Sequence, residues 1–398
     1  MSPPLWPYAA LSAGYFAHIG FFNPYLPLWL QDMGLSLVAI SLLTSLQSAT
    51  RLFAPYAWSW LSDHTGQRVW LLRYCGTAAL CIALLLWFEW STVGLFAVLL
   101  LMFTHTSAML PLSETALAHA VSQQGHFDAK RYGRVRLWGS IGFLVTVVLA
   151  GQWFERHGIG SFPAWTAVTL LAVVFSVWAM PAGVEAAHGT EARRPMWPVL
   201  RQPPVAWFFA SVYFHVLSHI FIYIFFSLYL DSLGYSKGVI GLVWATSVLV
   251  EIGWFFTQGR WLPALSLRKW LVLVSVVMAL RMAVTASLAD VFWLLLVAQA
   301  VHALTFAAHH SVCVAQISRL FPGNLRARGQ ALYAVIGYGL SGVTGGLVGG
   351  AVSSRFGLDA VFWLSALSAV CAALAAGVAG WWARRADRAE RAERAERA

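Results

Sequence analysis

Leaving aside Arg73 and Glu89, which fall near the ends of a predicted helix, four charged side chains and seven histidines sit where an otherwise apolar sequence would not place them by chance: Arg51, Glu114, Glu251 and Arg281, with His18, His105, His215, His219, His302, His309 and His310. A guanidinium holds a carboxylate through paired charge-assisted hydrogen bonds. A carboxylate takes and releases protons, and an unperturbed imidazole does so near pH 6.5. At the centre of a bilayer each Arg or Glu costs about 2.5–3.5 kcal/mol, so such groups face a partner or a water-filled cavity. The competing reading is a buried ion pair that only locks helices together.

The surroundings are apolar by composition: 59% hydrophobic and 11% charged residues over 398 positions, against roughly 45–50% and about 25% in soluble domains. Stretches such as 205–230 and 91–113 contain no Asp, Glu, Lys or Arg, and roughly 20 apolar residues are enough for a helix to cross the hydrocarbon core. The spacing predicts spans at 6–30, 37–61, 69–89, 93–117, 137–154, 162–180, 205–230, 238–258, 270–288, 291–317, 330–353 and 360–382, numbered helices 1 to 12. The apolar stretch after Met1–Pro7 is longer than a signal-peptide core and is expected to remain as the first span. Cys75, Cys81, Cys313 and Cys371 fall inside spans and read as small apolar packing residues, with no disulfide expected.

The net charge of +10 does not gather on one face. Connections after even-numbered spans, together with the tail, hold 21 of the Lys and Arg residues when Arg73, near the start of helix 3, is counted with the loop before it, whereas the odd-numbered connections hold Arg156, Lys237 and Arg355. By the positive-inside rule both termini are cytoplasmic, and no nucleic acid is called for. None of the three lysines follows a glycine, so there is no phosphate-binding Walker sequence, and an ion gradient is the expected energy source.

The chain repeats itself. At a shift of 200 residues, Phe21, Leu28, Leu30, Gly34, Ser36, Ile40 and Leu42 coincide with Phe221, Leu228, Leu230, Gly234, Ser236, Ile240 and Leu242. A six-helix unit duplicated in parallel places a substrate cavity at mid-bilayer between its copies. The same shift sets Arg51 opposite Glu251, so both are expected to face that cavity. The expected organisation is a bundle over 1–180, a cytoplasmic connection over 181–204, a second bundle over 205–382, and a charged tail over 383–398 of Arg-Ala-Glu repeats, read as a solvated helix or a disordered segment. Gly342, Gly346 and Gly350, four residues apart, predict close approach of another helix. Gln299, His302, Phe306 and His309 predict one stripe along helix 10, suited to relaying protons or bonding substrate, or simply to packing.

The loop Ser59-Trp60-Leu61-Ser62-Asp63-His64-Thr65-Gly66-Gln67-Arg68 resembles the major facilitator loop signature, with Asp63, Gly66 and Arg68 in place and Ser59 where a glycine is usual. Tyr132-Gly-Arg-Val-Arg-Leu-Trp-Gly-Ser140 and the segment ending at Glu114 resemble the sugar/proton symporters, and still more the phenylpropionate permease branch, over essentially the whole chain. The resemblance implies an all-α membrane protein with twelve transmembrane helices in two pseudo-symmetric six-helix bundles, the major facilitator fold. It implies Glu114 and Arg136 as a substrate-contacting pair, and Glu251, Arg281 and His302, with His310 nearby, as a proton-coupling group. The chain departs from the sugar permeases in having no carboxylate on helix 10 beside His302 and no second loop signature near Gly259, which leaves Glu251 as the carboxylate for proton chemistry.

The combined reading is a proton-coupled symporter of a small organic solute such as an aromatic carboxylate, with Arg51, Glu114, Arg136 and His302 toward substrate. A nucleoside or oligosaccharide substrate is the alternative within the class. From other classes come an intramembrane histidine enzyme holding metal or haem, disfavoured by histidines scattered over four helices, and a sensor that binds without transporting. Expected partners are the solute, protons and the lipid bilayer. A monomer in the inner membrane is expected, with no cofactor, metal or catalytic residue.

Overall fold

The computed structural model describes residues 4–123, 126–181, 196–322 and 325–396. Eleven helices in these stretches are long and apolar enough to cross a membrane. A twelfth, the first helix Trp6–Asp32, spans 27 residues, or roughly 40 Å at about 1.5 Å per residue. Its prolines, tyrosines, histidine and tryptophans lower its hydropathy, but it packs between helix 5 (Ala129–His157) and helix 6 (Phe162–Ala179). The other helices of the first half are helix 2, helix 3 (Arg68–Trp87) and helix 4 (Thr92–Val121). The second half comprises helix 7 (Pro203–Ser232), helix 8 (Lys237–Trp261), helix 9 (Leu267–Leu288), helix 10 (Phe292–Leu320), helix 11 (Arg326–Phe356 in three segments) and helix 12 (Leu358–Glu396). Helix 12 continues through most of the charged tail. The expected connection over 181–204 falls largely outside the described residues.

Serines start the duplicated helices alike, since Ser36 and Ser236 each accept the amide three residues on, that of Ala39 and Val239, which satisfies a donor the first helical turn leaves free. The copies then differ. Helix 8 runs unbroken, whereas helix 2 divides into Leu37–Thr50 and Ala54–Thr65. Pro55 lacks an amide proton and crowds the preceding turn, so the break falls at Arg51–Phe53 and places Arg51 at the end of the first segment.

The halves meet through small residues. A Cβ at Gly342 would overlap Ser48, one at Gly346 would overlap Ser45, and one at Gly350 would overlap Ser41. The predicted partner of the helix 11 glycines is therefore a serine stripe on helix 2. Helix 5 meets helix 8 near the odd-numbered connections. There the Tyr25 hydroxyl donates to the Val147 carbonyl and lies 3.1 Å from that of Lys237, and Glu155 accepts from the Ser236 hydroxyl at 2.8 Å and the Gly238 amide at 2.9 Å.

Helices 10 and 11 each contain a π-helical stretch, Ala303–Ala308 and Ala334–Leu340. The wider turn rotates every later side chain relative to an α-helix. The predicted stripe on helix 10 splits as a result: Phe306 stacks on His302 and faces His310, whereas His309 turns away and stacks on His215 of helix 7 at 3.7 Å.

Candidate functional site: a central cavity between the halves

A cavity of about 310 Å³ lies between the halves, walled by side chains of helices 1, 2, 4, 5, 7, 8, 10 and 11. Its walls follow the 200-residue repeat. Asn23, Thr44, Gln47 and Arg51 line one side, and Tyr223, Trp244, Ser247 and Glu251 line the other. The expected placement of Arg51 and Glu251 on a shared cavity thus matches the geometry. No charge singles out Asn23, Gln47, Tyr223 and Tyr338, and polar atoms within apolar spans are the sequence signal that points to them.

The two walls differ electrostatically. Among the described residues, no carboxylate lies within 4.0 Å of Arg51. Beside it, the Gln47 amide donates to Asn23 at 3.1 Å. On the other wall Glu251 lies 3.7 Å from His302 Nε2. Arg281 stands one layer behind, buried, and donates to His302 Nδ1 at 3.2 Å, to the Thr305 hydroxyl at 2.9 Å and to Gln299 Oε1 at 2.9 Å. A guanidinium only donates, so His302 must accept through Nδ1, and in its neutral form it carries its proton on Nε2, toward Glu251. Gln299 also accepts from Ser247 at 2.6 Å, which ties helices 8, 9 and 10 together. Arg281 has no carboxylate within 4.0 Å among the described residues, in keeping with the missing acidic residue on helix 10.

Four of the seven histidines, His215, His219, His302 and His309, come together once the chain is folded, while His18 bonds to Thr169 and His105 lies beside Trp58. His215 and His219 both direct Nε2 at the Thr305 carbonyl, at 2.7 and 3.0 Å, and His219 lies against His302. The π-turn changes the pairing of helix 10 carbonyls, and the two imidazoles bond to one within that turn. The dispersion used to set aside a metal enzyme therefore does not hold. What argues against that enzyme is the bonding of His215, whose two nitrogens are taken by the Ser275 hydroxyl and the Thr305 carbonyl. No group of three or more His, Cys, Asp or Glu residues suited to a metal occurs among the described residues. His310 is apart from the cluster, hydrogen-bonded to the Tyr333 hydroxyl at 3.2 Å.

Glu114 and Arg136 pair with each other at 2.9 Å, and Tyr132 donates to Glu114. They line a side crevice rather than the central cavity, separated from it by Tyr15 and Phe16, which border both. Arg136 also lies over the Phe16 ring at 4.7 Å. In the loop after helix 2, Gly66 adopts φ +65° and closes the helix, and Asp63 and Arg68 approach to 3.4 Å. A side chain at position 66 would be strained in that left-handed conformation.

Paired helical bundles around a central cavity are an architecture that membrane transporters use, and the sequence comparisons specify the family. Residues 5–364 match the model of the MFS_1 like family, and the chain belongs to that family of major facilitator transporters. It is a multi-pass membrane protein and a secondary transporter, not an enzyme. It is 26% identical over 365 residues to a probable 3-phenylpropionic acid transporter of Escherichia coli (strain K12), covering 90% of this chain and 94% of the relative. It is 28% identical over 367 residues to a maltose permease of Geobacillus stearothermophilus, covering 87% of each. Among solved structures, the nucleoside transporter NupG superposes with a TM-score of 0.79 at 16% identity over 94% of this chain and 98% of that one, which supports the shared fold.

Proposed function

We propose that the protein is a proton-coupled symporter of a small aromatic carboxylate. The observation that carries this reading is the unequal pair of cavity walls: an arginine without a carboxylate on one side, and a carboxylate linked through histidine to a buried arginine on the other. Arg51 holds the substrate carboxylate, and Tyr223, Trp244 and Phe306 offer ring faces to its apolar part. Glu114 and Arg136 form a second substrate-side pair one layer behind Phe16. Low-dielectric burial favours a protonated carboxylic acid, and an approaching cation favours its ionised form. Glu251 takes up a proton with substrate, and it releases that proton when Arg281, His302 and His310 on helices 9 and 10 draw closer in the alternate conformation. The Asp63, Gly66 and Arg68 loop serves the conformational exchange. The protein resides in the inner membrane with both termini cytoplasmic.

The names of two relatives keep a sugar or nucleoside as the second reading, and the cavity separates the readings by charge. Purified protein is screened by thermal shift against 3-phenylpropionate, its uncharged amide, maltose and uridine, because a ligand of the folded state raises its apparent stability. The carboxylate is expected to stabilise and its amide not. Arg51→Gln removes a charged hydrogen-bond partner, so affinity falls about 10- to 100-fold for a loss of about 1.5–3 kcal/mol. Stabilisation by maltose or uridine alone, or undiminished carboxylate binding by the variant, overturns the assignment.

A further inference from the structure

A second site lies on the membrane-facing side of the first half. Two adjoining hollows, of about 620 and 860 Å³, share Ala10, Ala13 and Trp138 and form one groove. Its floor is helix 1, where Ala10, Ala13 and Ala17 present only methyl groups. Helix 1 and helix 5 approach so closely there that a Cβ at Gly142 would overlap the backbone of Ala13. Trp138 of helix 5 and Leu171 and Phe175 of helix 6 stand as walls, each more than half exposed. Two hydroxyls border the groove, Thr146 and Ser176, and both donate to their own helices, to Gly142 and Ala172 at 2.7 Å each. Those donors are spent, so the groove suits a saturated apolar chain better than a polar helix.

The mouth differs in chemistry. Arg131 and Arg134, in the first turns of helix 5, border the groove together with Trp6, which is 54% exposed. Neither arginine has a carboxylate within 4.0 Å among the described residues. The neighbouring acid, Asp128, accepts the backbone amides of Lys130 and Arg131 instead. From Arg131 to Val145 the groove follows helix 5 for roughly 21 Å at about 1.5 Å per residue, more than the roughly 15 Å of one leaflet's hydrocarbon. Tryptophans seek the membrane interface, and basic pockets at helix ends hold anionic headgroups.

We propose that this groove binds one anionic phospholipid, its phosphate on Arg131 and Arg134 and one acyl chain along the alanine floor. The site is independent of the transported substrate, since it lies on the outer surface and shares no residue with the central cavity.

The test is native mass spectrometry of the purified full-length chain, delipidated in detergent and titrated with phosphatidylglycerol or phosphatidylethanolamine of identical acyl chains. Retention of one phosphatidylglycerol is expected at several-fold lower concentration than phosphatidylethanolamine. Each arginine near an anionic headgroup contributes about 1 kcal/mol, or about fivefold. Arg131→Gln/Arg134→Gln should therefore bring phosphatidylglycerol to the level of the other lipid. Ala17→Phe fills the floor beyond the arginines and should weaken both lipids. Elution as a single folded species before titration checks each variant. Equal retention of the two lipids by the wild type, or unchanged phosphatidylglycerol retention in the double arginine variant, overturns the proposal. So does a dimer in the lipid-free state that Ala17→Phe dissociates, because the groove would then belong to a second copy of the chain.

Discussion

Glu251 faces the protonated Nε2 of His302, so in this arrangement the histidine donates and the carboxylate accepts. Arg281 engages His302 Nδ1, so His302 gains a second proton only if the guanidinium lets go of that nitrogen. Movement of helix 9 against helix 10 is thereby linked to the protonation of the cavity wall. Glu251→Gln keeps the size and much of the hydrogen bonding of the protonated acid and removes its ability to ionise. In proteoliposomes the variant is expected to retain substrate binding and substrate-for-substrate counterflow, while proton-driven accumulation is lost. Full accumulation by Glu251→Gln would remove Glu251 from the coupling role. Glu114→Gln, serving the substrate, should instead weaken binding and counterflow together.

Among the elements, helices 5 and 8 carry a charged joint that the contact of helices 2 and 11 lacks. Glu155 closes the start of helix 8 by accepting from Ser236 and Gly238, and a Cβ on Gly238 would overlap that carboxylate. The corresponding contact of helices 2 and 11 relies on serine methylenes and hydroxyls against glycines and on one neutral hydrogen bond, from the Tyr56 hydroxyl to the Ala331 carbonyl at 2.8 Å. Packing of that kind separates without breaking a charge-assisted bond, whereas the Glu155 joint must break for the halves to part on that face. Glu155→Ala leaves two donors without their acceptor, a loss of about 1–3 kcal/mol. A cysteine placed at Thr44 on the cavity wall should then react faster with a membrane-impermeant maleimide added from the side of the odd-numbered connections. An unchanged rate would show that the small-residue contacts alone hold that face shut.

For the whole molecule, the distribution of Lys and Arg sets orientation, because basic loops resist translocation. With the four native cysteines replaced, single cysteines placed C-terminal to Trp382 or within the 181–204 connection are expected to react with impermeant reagent only from the cytoplasmic side. Reaction of either from outside would reverse the orientation, and with it the leaflet in which Arg131 and Arg134 meet lipid headgroups.

The number and rough placement of the spans were legible in the sequence because crossing a membrane depends on local composition: a helix in lipid satisfies its own backbone and needs only enough apolar length. The facing of Arg51 and Glu251 was legible too, because duplicated helices inherit the same rotation about their axes, and the structure sets Asn23 opposite Tyr223 and Gln47 opposite Ser247 by the same shift. Tertiary structure decided what local pattern does not encode. The π-turn in helix 10 redirects every side chain after it, which is why His309 joins His215 while His310 stays with Phe306. The gathering of four histidines from helices 7 and 10 and the seclusion of Glu114 and Arg136 behind Phe16 depend on which helices become neighbours. That choice rests on the fit of small residues such as Ser45 against Gly346, a contact between positions some 300 residues apart in the chain.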